Sequence, residues 1–485
     1  VLFRSAAGQA EQLHAAGKEA ESKKKVDEAL AALSRAESLA PSDLYAPLRR
    51  VQLLRGISMV QNDPASLDAA VSVADRAIAR NAMYWPMVSA RADLCLDKRD
   101  IKAAMGFIER YLQAQPASDE ARLRLMDMQM ATGNAERAIG TVRGGVDQHP
   151  SSAQWAERLG DLLGATGDAA GAAREYERAF TLDPRSIGTL EKAANARLSS
   201  GGPAEALTLL RGAPELTAAS PVLRSIAAVA ISRSGKREEG VVAGREALTA
   251  ARASKQDAPL NVERSLIVLR NLFPTDKPAE FETFVVQSGT PTAIECAIIA
   301  DAWQRSGPAG AAKTLEWCDK VDAFGESVIP GVRAGTALTR GTALYTKGDQ
   351  VGACDAFVAA VKIAPRNPAA LNNAAYLLVK AKNDTAKAFE YATQAVTLAP
   401  AQPDYLDTLG FVLFKMGRLA EAEDALGKSI AASPAASSLL HMAQVKAAQG
   451  NAPDAGKLLE RARALPTDDD TKKAIEEFAP TLKGK

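Results

Sequence analysis

Three histidines and four cysteines are the residues in this chain suited to metal or nucleophilic chemistry, and neither set is spaced for it. A zinc site gathers nitrogen and sulfur ligands at short intervals. His14, His149 and His441 lie far apart, with no cysteine or carboxylate cluster at ligand spacing. Cys95, Cys296, Cys318 and Cys354 are scattered, without a C-x-x-C pair or a dense framework. Cys95 is expected as a small buried hydrophobe. A Cys296–Cys318 disulfide is conceivable within one helix pair, but sequence alone does not support it. There is no G-x-x-x-x-G-K-[ST] loop, no G-x-G-x-x-G after a strand and no G-x-S-x-G elbow. Asn383-Asp384-Thr385 fits the glycosylation sequon, a triplet that arises often by chance. No catalytic residue, metal or cofactor is expected.

Charged residues are spaced more regularly. Arg124 is followed three residues later by Asp127, Arg158 by Asp161 and Lys192 by Asn195. Glu120, Glu157 and Glu191 lie beside them, and Ser89 and Asp93 continue the line earlier in the chain. In the later part Asn373, Thr408, Thr339 and Thr342 hold comparable places. Such a series suits a ladder of donors and acceptors that grips an extended peptide. The plainer account is that residues three apart on one helix decorate a solvated face, worth a few tenths of a kcal/mol per pair.

The elements that must position these residues follow from the prolines. Pro116, Pro150 and Pro184 are 34 residues apart. A 34-residue unit holds two helices of about a dozen residues and two short connections. One such pair cannot bury its own apolar faces, so neighbouring pairs must stack around a shared elongated core. Gly160 and Ala172 are expected to face each other across a pair, Ala179 to meet the next pair, Gly167 to take the turn and Pro184 to follow the second helix.

The pattern Ala156, Leu159, Gly160, Leu163, Gly167, Ala172, Tyr176, Ala179 and Pro184 resembles the tetratricopeptide repeat. The resemblance implies an all-α fold, a right-handed α-solenoid of stacked helix-turn-helix units whose first helices line a concave groove, and a role in holding other proteins. In that register the groove side chains are Ser89, Asp93, Arg124, Asp127, Glu157, Arg158, Asp161, Glu191, Lys192, Asn195 and Asn373. Asn373 matches the position where some members carry an asparagine ladder. The family's carboxylate clamp is not carried over, because Asp127 and Asp161 interrupt the basic line of Arg124, Arg158 and Lys192.

Composition agrees with close helix packing. Apolar residues make up 47% and aromatics 5%, which argues against a sheet-rich fold. The net charge of +1 gives no electrostatic footprint for nucleic acid. No run approaches the ~20 apolar residues of a membrane-spanning helix. The chain begins Val1-Leu2-Phe3-Arg4-Ser5, so a fragment or processed form is expected, and localisation, cytoplasmic or extracytoplasmic, stays open.

In order, residues 1–255 are expected to form an N-terminal solenoid of about seven helix pairs. The first pair spans Ala10 to Pro41, with Lys23-Lys24-Lys25 at its turn. Gly240 and Gly244 should make a later helix a soft spot. Residues 256–330 read either as two degenerate pairs or as a joint between blocks. Residues 331–466 are expected to form four further repeats, and 467–485 a capping helix and tail whose Asp468, Asp469 and Asp470 suit a helix N-terminus. The closing repeats resemble those of many bacterial tetratricopeptide proteins. The expected function is a non-enzymatic scaffold that binds proteins or extended peptides, in bacterial assembly, export or envelope processes. The rival is the repeat region of a larger polypeptide whose catalytic or membrane part lies upstream. Self-association through the end repeats is compatible with either.

Overall fold

The helix ends are fixed by residues that recur with the repeat. Ser118, Ser152, Ser186 and Ser220 each accept a hydrogen bond from the backbone N–H three residues on, satisfying a donor that the first helical turn leaves free. Asp100, Asn134 and Asp168 do the same for second helices. Between the two helices Gly133, Gly167, Gly201 and Gly235 adopt φ of +73°, +89°, +82° and +90°. The following residue then bonds back to the first helix, as Asp168 N–H does to the Leu163 carbonyl at 2.9 Å. Arg99 (φ 60°) and Asn383 (φ 54°) hold the same place in their hairpins.

A computed structural model describes residues 19–61, 63–255 and 257–482. These residues form helices joined by turns, with no strand among them, and divide into two compact units between Leu216 and Thr217. The first unit contains α1 (Glu19–Leu39), α2 (Tyr45–Gln61), α3 (Pro64–Arg80), α4 (Trp85–Asp97), α5 (Ile101–Ala114), α6 (Asp119–Ala131), α7 (Ala135–Gln148), α8 (Ala153–Ala165), α9 (Ala169–Leu182), α10 (Ile187–Ser199) and α11 (Pro203–Arg211). The division falls within the short α12 (Pro214–Ala219). The second unit contains α13 (Pro221–Arg233), α14 (Arg237–Arg252), α15 (Ala258–Leu269), α16 (Pro278–Gln287), α17 (Ala293–Gln304), α18 (Ala311–Asp322), α19 (Pro330–Thr346) and α20 (Gln350–Ile363). It continues with α21 (Pro368–Lys382), α22 (Thr385–Leu398), α23 (Pro403–Lys415), α24 (Leu419–Ala432), α25 (Ala436–Ala448), α26 (Ala452–Arg463) and α27 (Asp469–Phe478).

Within each unit helices pack on their neighbours in the chain, and first helices also meet the first helix of the next pair, as α21 meets α23 and α23 meets α25. That is the stacking the 34-residue period demands. Glycine in three first helices, α8, α19 and α23, admits a large side chain from the second: a Cβ on Gly160 would lie 2.6 Å from the Tyr176 ring, on Gly341 2.6 Å from Phe357 and on Gly410 2.5 Å from Leu426. The expected contact of Gly160 with Ala172 is therefore shifted by one helical turn. Gly160 takes Tyr176, while Ala172 lies 3.7 Å from where Gly164 would carry its Cβ.

Other expectations are corrected too. Lys23, Lys24 and Lys25 lie inside the continuous α1, not at a turn, because the segment has no glycine or proline to end a helix. The first helix of that pair, with His14 and Gly17, falls outside the described residues. Residues 257–330 supply α15 to α18. Arg252 and the fully buried Glu295 tie this segment to α14 through an Nε–Oε1 hydrogen bond of 2.9 Å, and the Glu295 carboxylate also closes a capping box with Thr292. The helix-weakening Gly240 has a packing role: a Cβ there would lie 2.7 Å from the Ala228 carbonyl oxygen of α13. All four cysteines are buried and free, so the Cys296–Cys318 disulfide is absent.

Candidate functional site

In the first unit the charged residues of the sequence ladder are drawn together, but between hairpins and not along one helix. Arg124 on α6 donates to Ser89 Oγ and to the Asp93 carboxylate on α4. Arg55 on α2 reaches the same Asp93 at 3.2 Å and donates to Asp97 at 2.5 and 2.9 Å. Lys192 on α10 donates to Glu157 at 2.7 Å and to Asp161 at 2.8 Å on α8. Thr189 Oγ1 adds a 3.0 Å bond to Glu157, and Tyr176 Oη donates to Asp161 at 2.9 Å. Burial works against the Lys192 charge, yet its bonds to Asp161 and Glu157 raise the ammonium pKa above its ordinary value. Burial and the bond to Asp161 raise the Tyr176 phenol likewise.

The remaining ladder residues separate. Arg158 and Asp127 are exposed and make no ion pair among the described residues. Glu191 is buried, and Asn195 is half-buried. The Arg124–Asp127 and Arg158–Asp161 pairs do not form: Arg124 turns to Asp93 one repeat back, and Asp161 is taken by Lys192 one repeat on. Such partly exposed pairs contribute ~0–1 kcal/mol each and join successive units.

In the second unit α19, α21, α23, α25 and the start of α27 enclose a cavity of about 520 Å³. Its lining repeats with the hairpins: Asn372 and Asp407, Tyr376 and Phe411, and Lys380 and Lys415 are pairs of positions on α21 and α23. The floor is aromatic, with Tyr376 and Phe411 centroids 5.6 Å apart and His441 of α25 stacked on Phe411 at 4.6 Å. His441 Nδ1 and Asp407 Oδ1 are 2.8 Å apart, and both residues are buried. Asn372 Oδ1 and Gln444 Oε1 are buried acceptors with no hydrogen-bond donor among the described residues. Exposed Lys380, Lys415, Asp404 and Asp470 occupy the rim, and Tyr345 Oη donates to Asp470 at 3.4 Å. Burial, and then the charges of Asp407, Asp468 and Asp470, push the Tyr376 phenol up to about 12.

Asn373 does not line this cavity. Its neighbour Asn372 does, and donates through Nδ2 to Asn373 Oδ1 at 3.4 Å. Thr408 lines it as well. Sequence reasoning passed over Asp407, Tyr376, Phe411, His441 and Gln444, although the register used for 124–195, continued to α21 and α23, points to the first three. The buried thiols are poor nucleophiles, since burial pushes Cys296 up to about 11 and Cys318 up to about 12. Among the described residues no group of three or more His, Cys, Asp or Glu is placed to hold a metal ion. No described helix is long and apolar enough to cross a membrane.

Residues 42–198 match the family model of a tetratricopeptide repeat-like domain, and residues 408–469 that of a tetratricopeptide repeat. These two stretches are tetratricopeptide repeats, and the described residues form an all-α stack of helical hairpins. Comparison with curated proteins gives no match. Among solved structures, the Naa15/Naa10 complex bound to HypK-THB shares 13% identity over 99% of this chain and 77% of that one, with a TM-score of 0.36. YrrB, a TPR protein with an unusual peptide-binding site, shares 20% over 40% of this chain and 96% of its own, with a TM-score of 0.32. The APC/C hetero-tetramer Cut9-Hcn1 shares 12% over 93% of each chain, with a TM-score of 0.37.

Proposed function

We propose that this chain is a non-enzymatic scaffold that holds an extended segment of a partner protein, and that the holding surface is the cavity of α19 to α27. The observation that carries this is the pair of buried acceptors, Asn372 Oδ1 and Gln444 Oε1, which line an open cavity without donors. A buried acceptor left unpaired destabilises a fold by about 1–3 kcal/mol, so a structural role alone would favour apolar residues there. A bound peptide backbone or side chain would supply the missing N–H groups. A bacterial assembly, export or envelope setting rests on the resemblance of the closing repeats.

The test is selection of linear peptides from a display library on the full chain, followed by affinity measurements. Binders should lose at least tenfold in affinity on Asn372→Ala with Gln444→Ala, and at most twofold on Lys192→Ala. Unchanged affinity in the double variant would move the site out of this cavity.

A further inference from the structure

We propose that the cavity of the second unit selects an arginine side chain on the segment it holds; this rests on the peptide-holding role above and names its ligand chemistry. The floor presents acceptors and aromatic surface. Asn372 Oδ1 and Gln444 Oε1 have no donor, Asp407 carries a carboxylate, and Tyr376 and Phe411 add ring faces and edges. A planar guanidinium with five N–H donors can bond to several acceptors at once while stacking on an aromatic ring. An ammonium is a compact, strongly hydrated charge and lacks that planar fork. A carboxylate is an acceptor itself and would leave both amide oxygens unpaired.

The charges agree. The lining holds the carboxylates of Asp404, Asp407, Asp468 and Asp470 against the ammonium groups of Lys380 and Lys415. Both lysines are exposed and lie at the edge, with Lys380 Nζ 5.3 Å from the Tyr376 centroid and Lys415 Nζ 5.5 Å from that of Phe411. They make no ion pair among the described residues. Each stands over the ring that an arginine would use, so the two lysines compete with the incoming side chain. Removing them therefore strengthens arginine binding, whereas it would weaken an acidic ligand.

Fluorescence anisotropy on the full chain tests this with four labelled peptides, Gly-Ser-Ala-X-Ala-Ser-Gly, in which X is arginine, citrulline, lysine or glutamate. The arginine peptide is expected to bind at least tenfold more tightly than the citrulline and glutamate peptides and severalfold more tightly than the lysine peptide. Asn372→Leu and Asp407→Asn should each reduce that affinity at least tenfold, and Lys380→Ala with Lys415→Ala should raise it severalfold. Tighter binding of the glutamate peptide, equal binding of arginine and citrulline, or no binding by any of the four overturns the arginine assignment. In those cases a library-selected peptide that still loses affinity in Asn372→Leu keeps the peptide-holding role, and one that does not removes both.

Discussion

The inner helices of the two units carry polar side chains at matching repeat positions and treat them in opposite ways. On α4 to α10 the ladder residues that face the next hairpin answer one another: Arg124 meets Asp93 and Ser89, and Lys192 meets Glu157 and Asp161, while Trp85 Nε1 and Arg122 Nε are buried without a partner among the described residues. On α21 to α25 they stop short of doing so, leaving Asn372 Oδ1 and Gln444 Oε1 buried and unpaired beside an aromatic floor. The difference teaches that a regular line of charges in a repeat protein is first a link between neighbouring hairpins. A binding surface is better marked by polar atoms whose desolvation nothing in the fold has offset.

The contrast should vanish in the core, where the largest effect is expected. Leu163 on α8 and Leu413 on α23 are 6% and 3% exposed, and each lies on the last turn before its turn glycine, Gly167 and Gly417. Each change to alanine should cost about 2–5 kcal/mol through lost burial and a residual cavity, read by urea denaturation of the respective variants. A cost under 1 kcal/mol at either site would show that the two regions differ in packing as well as in polarity.

The tyrosines separate the regions more finely. Tyr176→Phe removes a bond to Asp161 at 2.9 Å and should cost ~1–2 kcal/mol near neutral pH, because the bond reaches a charged acceptor. Tyr376 makes no hydrogen bond among the described residues, so Tyr376→Phe should be close to neutral there. Its effect belongs at high pH. The folded state holds the Tyr376 phenol up to about 12, above the ordinary value of ~10. The neutral form is thus favoured by folding, and this contribution is present below pH ~10 and lost as pH rises through the folded value. Alkaline melting curves should fall less steeply over that window in Tyr376→Phe than in the parent, and identical curves would remove the burial argument for the cavity floor.

Most of this architecture was legible from spacing alone. The 34-residue interval of Pro116, Pro150 and Pro184 requires two short helices per unit, and helices α4 to α10 follow it. What spacing could not show was which neighbour a side chain would choose. Arg124 and Asp127 are three apart on one helix, but the hairpin before them places Asp93 within reach of the guanidinium. The cavity was missed for a related reason: its members come from four first helices and α27, and only stacking brings Asp407 of α23 against His441 of α25. Lys23 to Lys25 misled because charge suggested a turn where helix propensity continued the helix.

Smaller effects follow from the polar groups themselves. Lys192→Ala should cost the first unit ~0–1 kcal/mol, since its two ion pairs are partly exposed. Asn372→Leu should leave the unliganded second unit as stable or more stable by up to ~1 kcal/mol, because it removes a buried acceptor with no donor. Thermal midpoints measured in the absence of peptide give both values. A marked loss in Asn372→Leu would make that amide structural and erase the distinction between the two regions.

The smallest effect lies at the turns, where Arg99 and Asn383 stand in the place that glycine holds in other hairpins. Arg99 holds φ 60° between α4 and α5, and Asn383 holds φ 54° between α21 and α22. A left-handed backbone is strained for arginine and better tolerated by asparagine, whose short amide bonds locally. Arg99→Gly should therefore stabilise the first unit by ~0.5–1 kcal/mol, partly offset by the greater freedom of glycine in the unfolded chain. Asn383→Gly should gain less, and because Asn383 also lines the cavity it alone of the two should alter peptide affinity. Melting and anisotropy on the same pair of variants check both statements, and an affinity change in Arg99→Gly would show that the first unit contributes to binding.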